Sequence, residues 1–155
     1  LCDAAFWDSL SFFKGPIWAS HNNCRSLVNH NRQFSDEMIK AIIDRNGVIG
    51  AAFDAWMLVP NWQRGISSPI GSQCTIEKVI DHMVHISGIA GNVNHIGIGS
   101  DLDGAFGKEQ SPLEIDTIDD LQLLIPLLDK RGFTTNEINQ IMHQNWINFL
   151  AKHLP

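Results

Sequence analysis

Three short apolar runs, each followed at once by polar residues, constrain this 155-residue chain more than any other feature. They are Ile17-Trp18-Ala19 before Ser20-His21-Asn22-Asn23, Gly47 to Phe53 before Asp54, and His95 to Gly99 before Ser100-Asp101. Runs this short, and apolar throughout rather than alternating, fit strands covered on both faces, as in a parallel sheet. The segments between them have helical spacing. An acidic start and Phe6, Leu10 and Phe13 predict a helix over residues 3 to 13. Ser35 is placed to cap a second through about Asp44, and Thr75 a third that Gly88 to Gly91 end. Leu121, Leu124, Ile125 and Leu128 suggest a fourth, closed by Arg131-Gly132. Thr134 with Glu137 forms a capping-box pattern at the head of a last helix.

The expected order is helix, strand, helix, strand, helix, strand, helix, helix, in one α/β domain over residues 1–155. Polar residues gathered at the carboxyl ends of strands are the layout of a β/α barrel or a doubly wound sheet. Three strands cannot close a barrel that typically takes about 250 residues. The long Pro-, Trp-, Gly- and Ser-rich loop from about Ala55 to Ser72 is of a length that usually carries function.

Composition removes several classes of function. A formal charge of −6 without a basic block argues against nucleic acid as the main partner. No apolar run approaches the roughly 18 residues of a transmembrane segment. Cys2, Cys24 and Cys74, an odd number at wide spacing, fit neither a disulfide framework nor a zinc ribbon, and read as reduced thiols in a cytoplasmic protein. There is no G-x-x-x-x-G-K-[ST], no G-x-G-x-x-G opening a helix and no G-x-S-x-G, so nucleotide binding and serine hydrolase chemistry lose their support. The chain opens Leu1-Cys2-Asp3 without an initiator methionine, as the middle of a longer protein would.

The residues that could carry chemistry follow the strands. His21 is either a metal-binding imidazole or a turn histidine. Asp101 could ligate a metal or act as a general base, whereas Asp103 reads as support for its turn. Arg32, in the loop after the first strand, could grip a carboxylate in a two-pronged way or simply be solvated. His82 and His85 form an H-x-x-H roughly opposite the Ile76, Val79, Ile80 and Met83 stripe, which places them on an outer or flanking surface and not at a metal. His95, at the start of its strand, reads as structural. Trp56 and Trp62 could shape a pocket or merely pack.

Several of these stretches, taken together and in order, resemble a known family. They are Ser20-His21-Asn22-Asn23-Cys24-Arg25-Ser26-Leu27, Asn31-Arg32, Ser35-Asp36, Asn46 to Gly50, Asp81-His82, Ala90-Gly91, His95 to Gly104, Arg131-Gly132-Phe133 and Asn145-Trp146. They resemble the second half of the membrane (renal) dipeptidases, within the metal-dependent amidohydrolase superfamily. The resemblance implies the carboxyl-terminal part of a (β/α)8 TIM-type barrel, with about three of its strands, and a paired Zn2+ site that hydrolyses dipeptides. It implies that His21 is a metal ligand, that Asp101 handles the proton, and that Arg32 binds the terminal carboxylate of a dipeptide substrate. The family's H-x-D pair, bridging glutamate and second histidine are not among these 155 residues. On this reading the chain alone would be inactive and would bind zinc poorly. The sequence after Asn145-Trp146-Ile147 also lacks the arginine the family pattern would have there. An open half barrel would expose strand edges, which favours self-association and leaves a homodimer open. The alternative, from another class, is a non-catalytic α/β binding or interaction domain derived from the barrel.

Overall fold

A computed structural model describes residues 2–154. The elements are α1 (Asp3–Phe12), α2 (Asp36–Ile43), β1 (Ile49–Ala52), a short α3 (Ala55–Leu58), α4 (Ile76–Ala90) and β2 (Ile96–Ser100). Two 3₁₀ turns, Lys108–Gln110 and Ile118–Leu123, lead to α5 (Leu124–Lys130). The chain closes with α6 (Thr135–Asn139), a π turn (Gln140–Gln144) and α7 (Asn145–His153). None of the helices among the described residues is long and apolar enough to cross a membrane.

β1 and β2 pair in parallel, as their unbroken apolar sequences require, with Ile49 opposite Ile96 and Gly50 opposite Gly97. The register slips near the carboxyl end, where Ala51 faces Ile98 but Ala52 faces Ser100. One extra residue on β2 is a bulge, which bends a strand and re-aims the residues beyond it.

The expected first strand is reduced to a single bridge, Ala19 to Ile49. Its backbone does run beside β1: Ala19 donates to the Val48 carbonyl at 2.9 Å, Gly50 to Ala19 at 2.9 Å, and Asn22 to Gly50 at 2.8 Å. Ser20 and His21 loop out between these bonds. The ladder then continues through a side chain, because Asn23 is buried and its amide exchanges a pair of hydrogen bonds with the Ala52 backbone, at 3.0 and 3.1 Å. The polar cluster after Ala19 thus takes over from the strand.

Three backbones converge at this point. A Cβ at Gly50 or Gly99 would strike the Ser20 carbonyl, so glycine at both positions lets the segments close together.

Behind the sheet, the core is built from Ile39 and Ile42 of α2, Val79, Ile80, Met83 and Ile86 of α4, Leu124 and Leu128 of α5, and Ile138 and Ile141 near the carboxyl end. The helix ends largely follow the expected chemistry. Ser35 accepts from Met38 N at 3.4 Å, and Thr134 and Glu137 form the reciprocal box. Thr75 departs from it. Its side chain does not cap α4, and the carboxylate of Glu114 accepts from Ile76 N at 2.9 Å instead.

Candidate functional site

The site forms where the three parallel segments end. Ser100 and Asp101 both have positive φ, 38° and 65°, and the Asp101 N–H is turned back onto the Gly99 carbonyl at 2.6 Å. Two successive non-glycine residues in the left-handed region store strain, which tends to persist where a side chain must be presented in one direction. The turn closes through Gly104 N on the Asp101 carbonyl at 2.9 Å. Asp103 is exposed, so the hold on this turn comes from the Asp101 backbone.

The presented carboxylate meets His21. Their side chains approach to 3.8 Å, Nε2 to Oδ1, at 45% and 22% exposure. Ser20 Oγ lies 2.9 Å from His21 Nδ1, which fixes the ring and leaves Nε2 facing the carboxylate. The neighbouring asparagine brings in the third residue. Asn22 donates to the Arg32 carbonyl at 3.2 Å and accepts from Phe34 N at 3.2 Å, so the Arg32 loop is fastened to the residue beside His21. His21, Arg32 and Asp101, predicted from sequence, line one cavity of about 360 Å³.

Asp54, Trp56 and Arg64 also line this cavity. Asp54 directly follows β1, and its side chain is only 3% exposed. It accepts from Gln110 Nε2 at 2.7 Å, from Trp56 N at 3.4 Å and from Arg64 Nη2 at 3.3 Å. Burial pushes its carboxyl above the usual carboxylate range, against the pull of these donors. Trp56 offers its ring to two guanidiniums, Arg32 at 5.4 Å and Arg64 at 5.9 Å. Arg32, Trp56 and Arg64 also border a second cavity of about 660 Å³, which includes His30, Val59 and Trp62. The sequence carried one signal for Asp54, a charge immediately after an apolar strand, and none for Arg64.

The histidines on α4 divide. His85 is half-buried and Nε2 lies 3.0 Å from Ser26 Oγ and 2.8 Å from Asp36 Oδ1. Both contacts fall on the same nitrogen, so this Ser, His and Asp grouping cannot relay a proton from hydroxyl to carboxylate. His82, expected on an outer or flanking surface, is instead 1% exposed. The segment after Ala19 covers that side of the helix, and Cys24 N donates to His82 Nδ1 at 3.1 Å. Burial lowers the His82 pKa to about 4. Cys24 and Cys74 are free and buried, with thiols pushed up to about 12 by the same cause, which leaves them unreactive. His95 is structural as expected, with Nδ1 2.9 Å from the Gly47 carbonyl.

As a metal site the described residues are incomplete. No three His, Cys, Asp or Glu side chains among them come together to hold an ion, and one imidazole beside one carboxylate falls short of a tetrahedral donor set.

The model of the membrane dipeptidase family, peptidase family M19, matches residues 1–152. The chain belongs to this family. An uncharacterized protein in the pqqA 5′ region of Klebsiella pneumoniae is 29% identical over 96% of the chain and 51% of its own length. Dipeptidase tcpJ of Claviceps purpurea is 26% identical over 97% of the chain and 32% of its own length. The chain therefore spans about half, or less, of the membrane dipeptidase relatives it matches. Among solved structures, a crystal structure described as dipeptidase AC, an M19 metallopeptidase, superposes with a TM-score of 0.81 at 22% identity, covering 97% of this chain and 41% of that one. An amidohydrolase from Pseudomonas aeruginosa gives 0.75 at 27% identity, over 95% and 48%. The mixed α/β fold described above thus matches part of the fold of an M19 protein.

Proposed function

We propose that this chain is the carboxyl-terminal part of a (β/α)8 barrel metallodipeptidase and supplies the proton-handling and substrate-gripping side of its active site. The observation that carries the reading is the convergence of His21, Arg32 and Asp101 on one cavity at the ends of parallel segments. Dipeptidases among the relatives support it, as does a structurally similar metallopeptidase from Rhodobacter sphaeroides liganded with a phosphinate mimic of the dipeptide L-Ala-D-Ala.

The whole protein would be a zinc enzyme. His21 is the one imidazole this chain offers to the metal, and the remaining donors would come from outside these residues. The roles of the others follow from their own chemistry. Arg32 presents a planar fork of N–H donors matched to the terminal carboxylate of a dipeptide, and that contact orients the peptide bond toward Asp101. Asp101 Oδ1 takes the proton of the attacking water and returns it to the departing amine. The strained turn holds that oxygen in place before substrate arrives.

In the whole protein, Asp101→Asn should lower kcat by about 10²- to 10⁴-fold, the range of general acid–base catalysis, while zinc content by elemental analysis stays at the wild-type level. A variant that lost its zinc yet kept its turnover would overturn the assignment.

A further inference from the structure

Asp54 and Arg64 take no part in the roles above, yet both line the cavity that holds His21 and Asp101. Arg64 lies midway along the long loop, and its side chain is 64% exposed. A guanidinium carries five N–H donors, and among the described residues the hydrogen bond to Asp54 at 3.3 Å is the one that Arg64 makes through its side chain. An ion pair this exposed on one side holds the group in place without saturating it. Asp54 is the fixed partner, enclosed and anchored by Gln110 and by the first turn of α3.

Trp56 gathers both arginines at one ring. Both guanidinium carbons lie within 6 Å of its ring centroid, 5.4 Å for Arg32 and 5.9 Å for Arg64. Two cations laid on one indole in one cavity suit two carboxylates on one residue, separated by a side chain of one or two methylenes.

We propose that Arg64, oriented by Asp54 and Trp56, recognises a second substrate carboxylate, so that the site favours dipeptides whose carboxyl-terminal residue is aspartate or glutamate. The inference rests on Arg32 taking the terminal carboxylate. It adds a substrate class to that reading.

The test compares alanyl-aspartate with alanyl-alanine, each with an L and a D second residue, on the whole protein. The wild type should favour the acidic dipeptide in kcat/KM by about 10- to 100-fold, the worth of one charge-assisted, two-pronged hydrogen bond. Arg64→Met should bring the ratio close to one, Arg64→Lys should restore part of it, and Asp54→Asn should reduce it by raising KM for the acidic dipeptide. Arg32→Met should weaken both dipeptides and leave their ratio nearly as it was. A wild type without preference, or a preference that survives Arg64→Met, would overturn the inference while leaving dipeptide hydrolysis intact. Should the wild type hydrolyse neither dipeptide, the catalytic reading falls, and the same ratio read as calorimetric Kd values still decides the role of Arg64.

Discussion

His21 and His82 put one residue type to opposite uses. His21 stands at the rim of the sheet, 45% exposed, with a hydroxyl on one ring nitrogen and a carboxylate facing the other. His82 lies inside, 1% exposed, with its Nδ1 accepting the Cys24 N–H. The rim residue is placed by a bulging segment and is free to meet a ligand. The interior residue ties two segments 58 positions apart and is held neutral by burial. A substitution at the rim should change chemistry, and one in the interior should change stability.

The largest expected effect lies at the rim. Asp101→Asn, with its loss of kcat of about 10²- to 10⁴-fold, should leave the thermal midpoint of unfolding almost where it was. Asparagine tolerates the left-handed backbone that residue 101 adopts, so the exchange removes charge and spares the turn. A large drop in the midpoint would show that this carboxylate holds the fold, and the contrast with His82 would collapse.

The interior prediction is next in size. A histidine with a folded pKa of about 4 against an unfolded value near 6.5 contributes almost nothing to the pH dependence well above pH 6.5, where both states are neutral. As pH falls from 6.5 toward 4, the unfolded chain binds a proton that the folded chain refuses, and about 3 kcal/mol of stability is lost. Denaturant titrations at pH 7 and pH 4.5 should show this fall, and His82→Gln should flatten it at the expense of lower stability at pH 7. An unchanged slope in that variant would place the acid sensitivity elsewhere.

A smaller effect tests the same division far from both histidines. Thr134→Ala removes the hydroxyl that accepts from Glu137 N, and should lower stability by about 1 kcal/mol in a denaturant titration without altering turnover.

Much of this molecule is legible in its sequence, for reasons visible in particular residues. Helix ends written in local chemistry, such as Ser35 and the Thr134 box, form as expected because the cap and its partner lie within one turn. Asp101, Arg32 and His21 stand out because each sits in a recognisable stretch, and the structure brings them to one cavity. Features that depend on distant partners are not legible. Thr75 yields its capping role to Glu114, which lies 38 positions from the N–H it caps. His82 is buried because a loop from residue 24 covers a side of the helix that periodicity alone treats as an outer face. Ile17 to Ala19 forms one bridge because the Asn23 side chain completes the ladder that backbone would otherwise extend. Asp54 is marked in sequence only by its place after an apolar strand, and its partners Arg64 and Gln110 stand 10 and 56 positions away.

In the proposed reaction the rim cavity grips a dipeptide by its terminal carboxylate through Arg32 and delivers its peptide bond to Asp101. The most direct measurement compares the hydrolysis of a dipeptide with that of its carboxyl-terminal amide, by the whole wild-type protein and by Arg32→Met. With the wild type the amide should lose about 10- to 100-fold in kcat/KM, and Arg32→Met should erase the difference. Equal hydrolysis of dipeptide and amide by the wild type, or a preference undiminished in Arg32→Met, would contradict this role for the cavity.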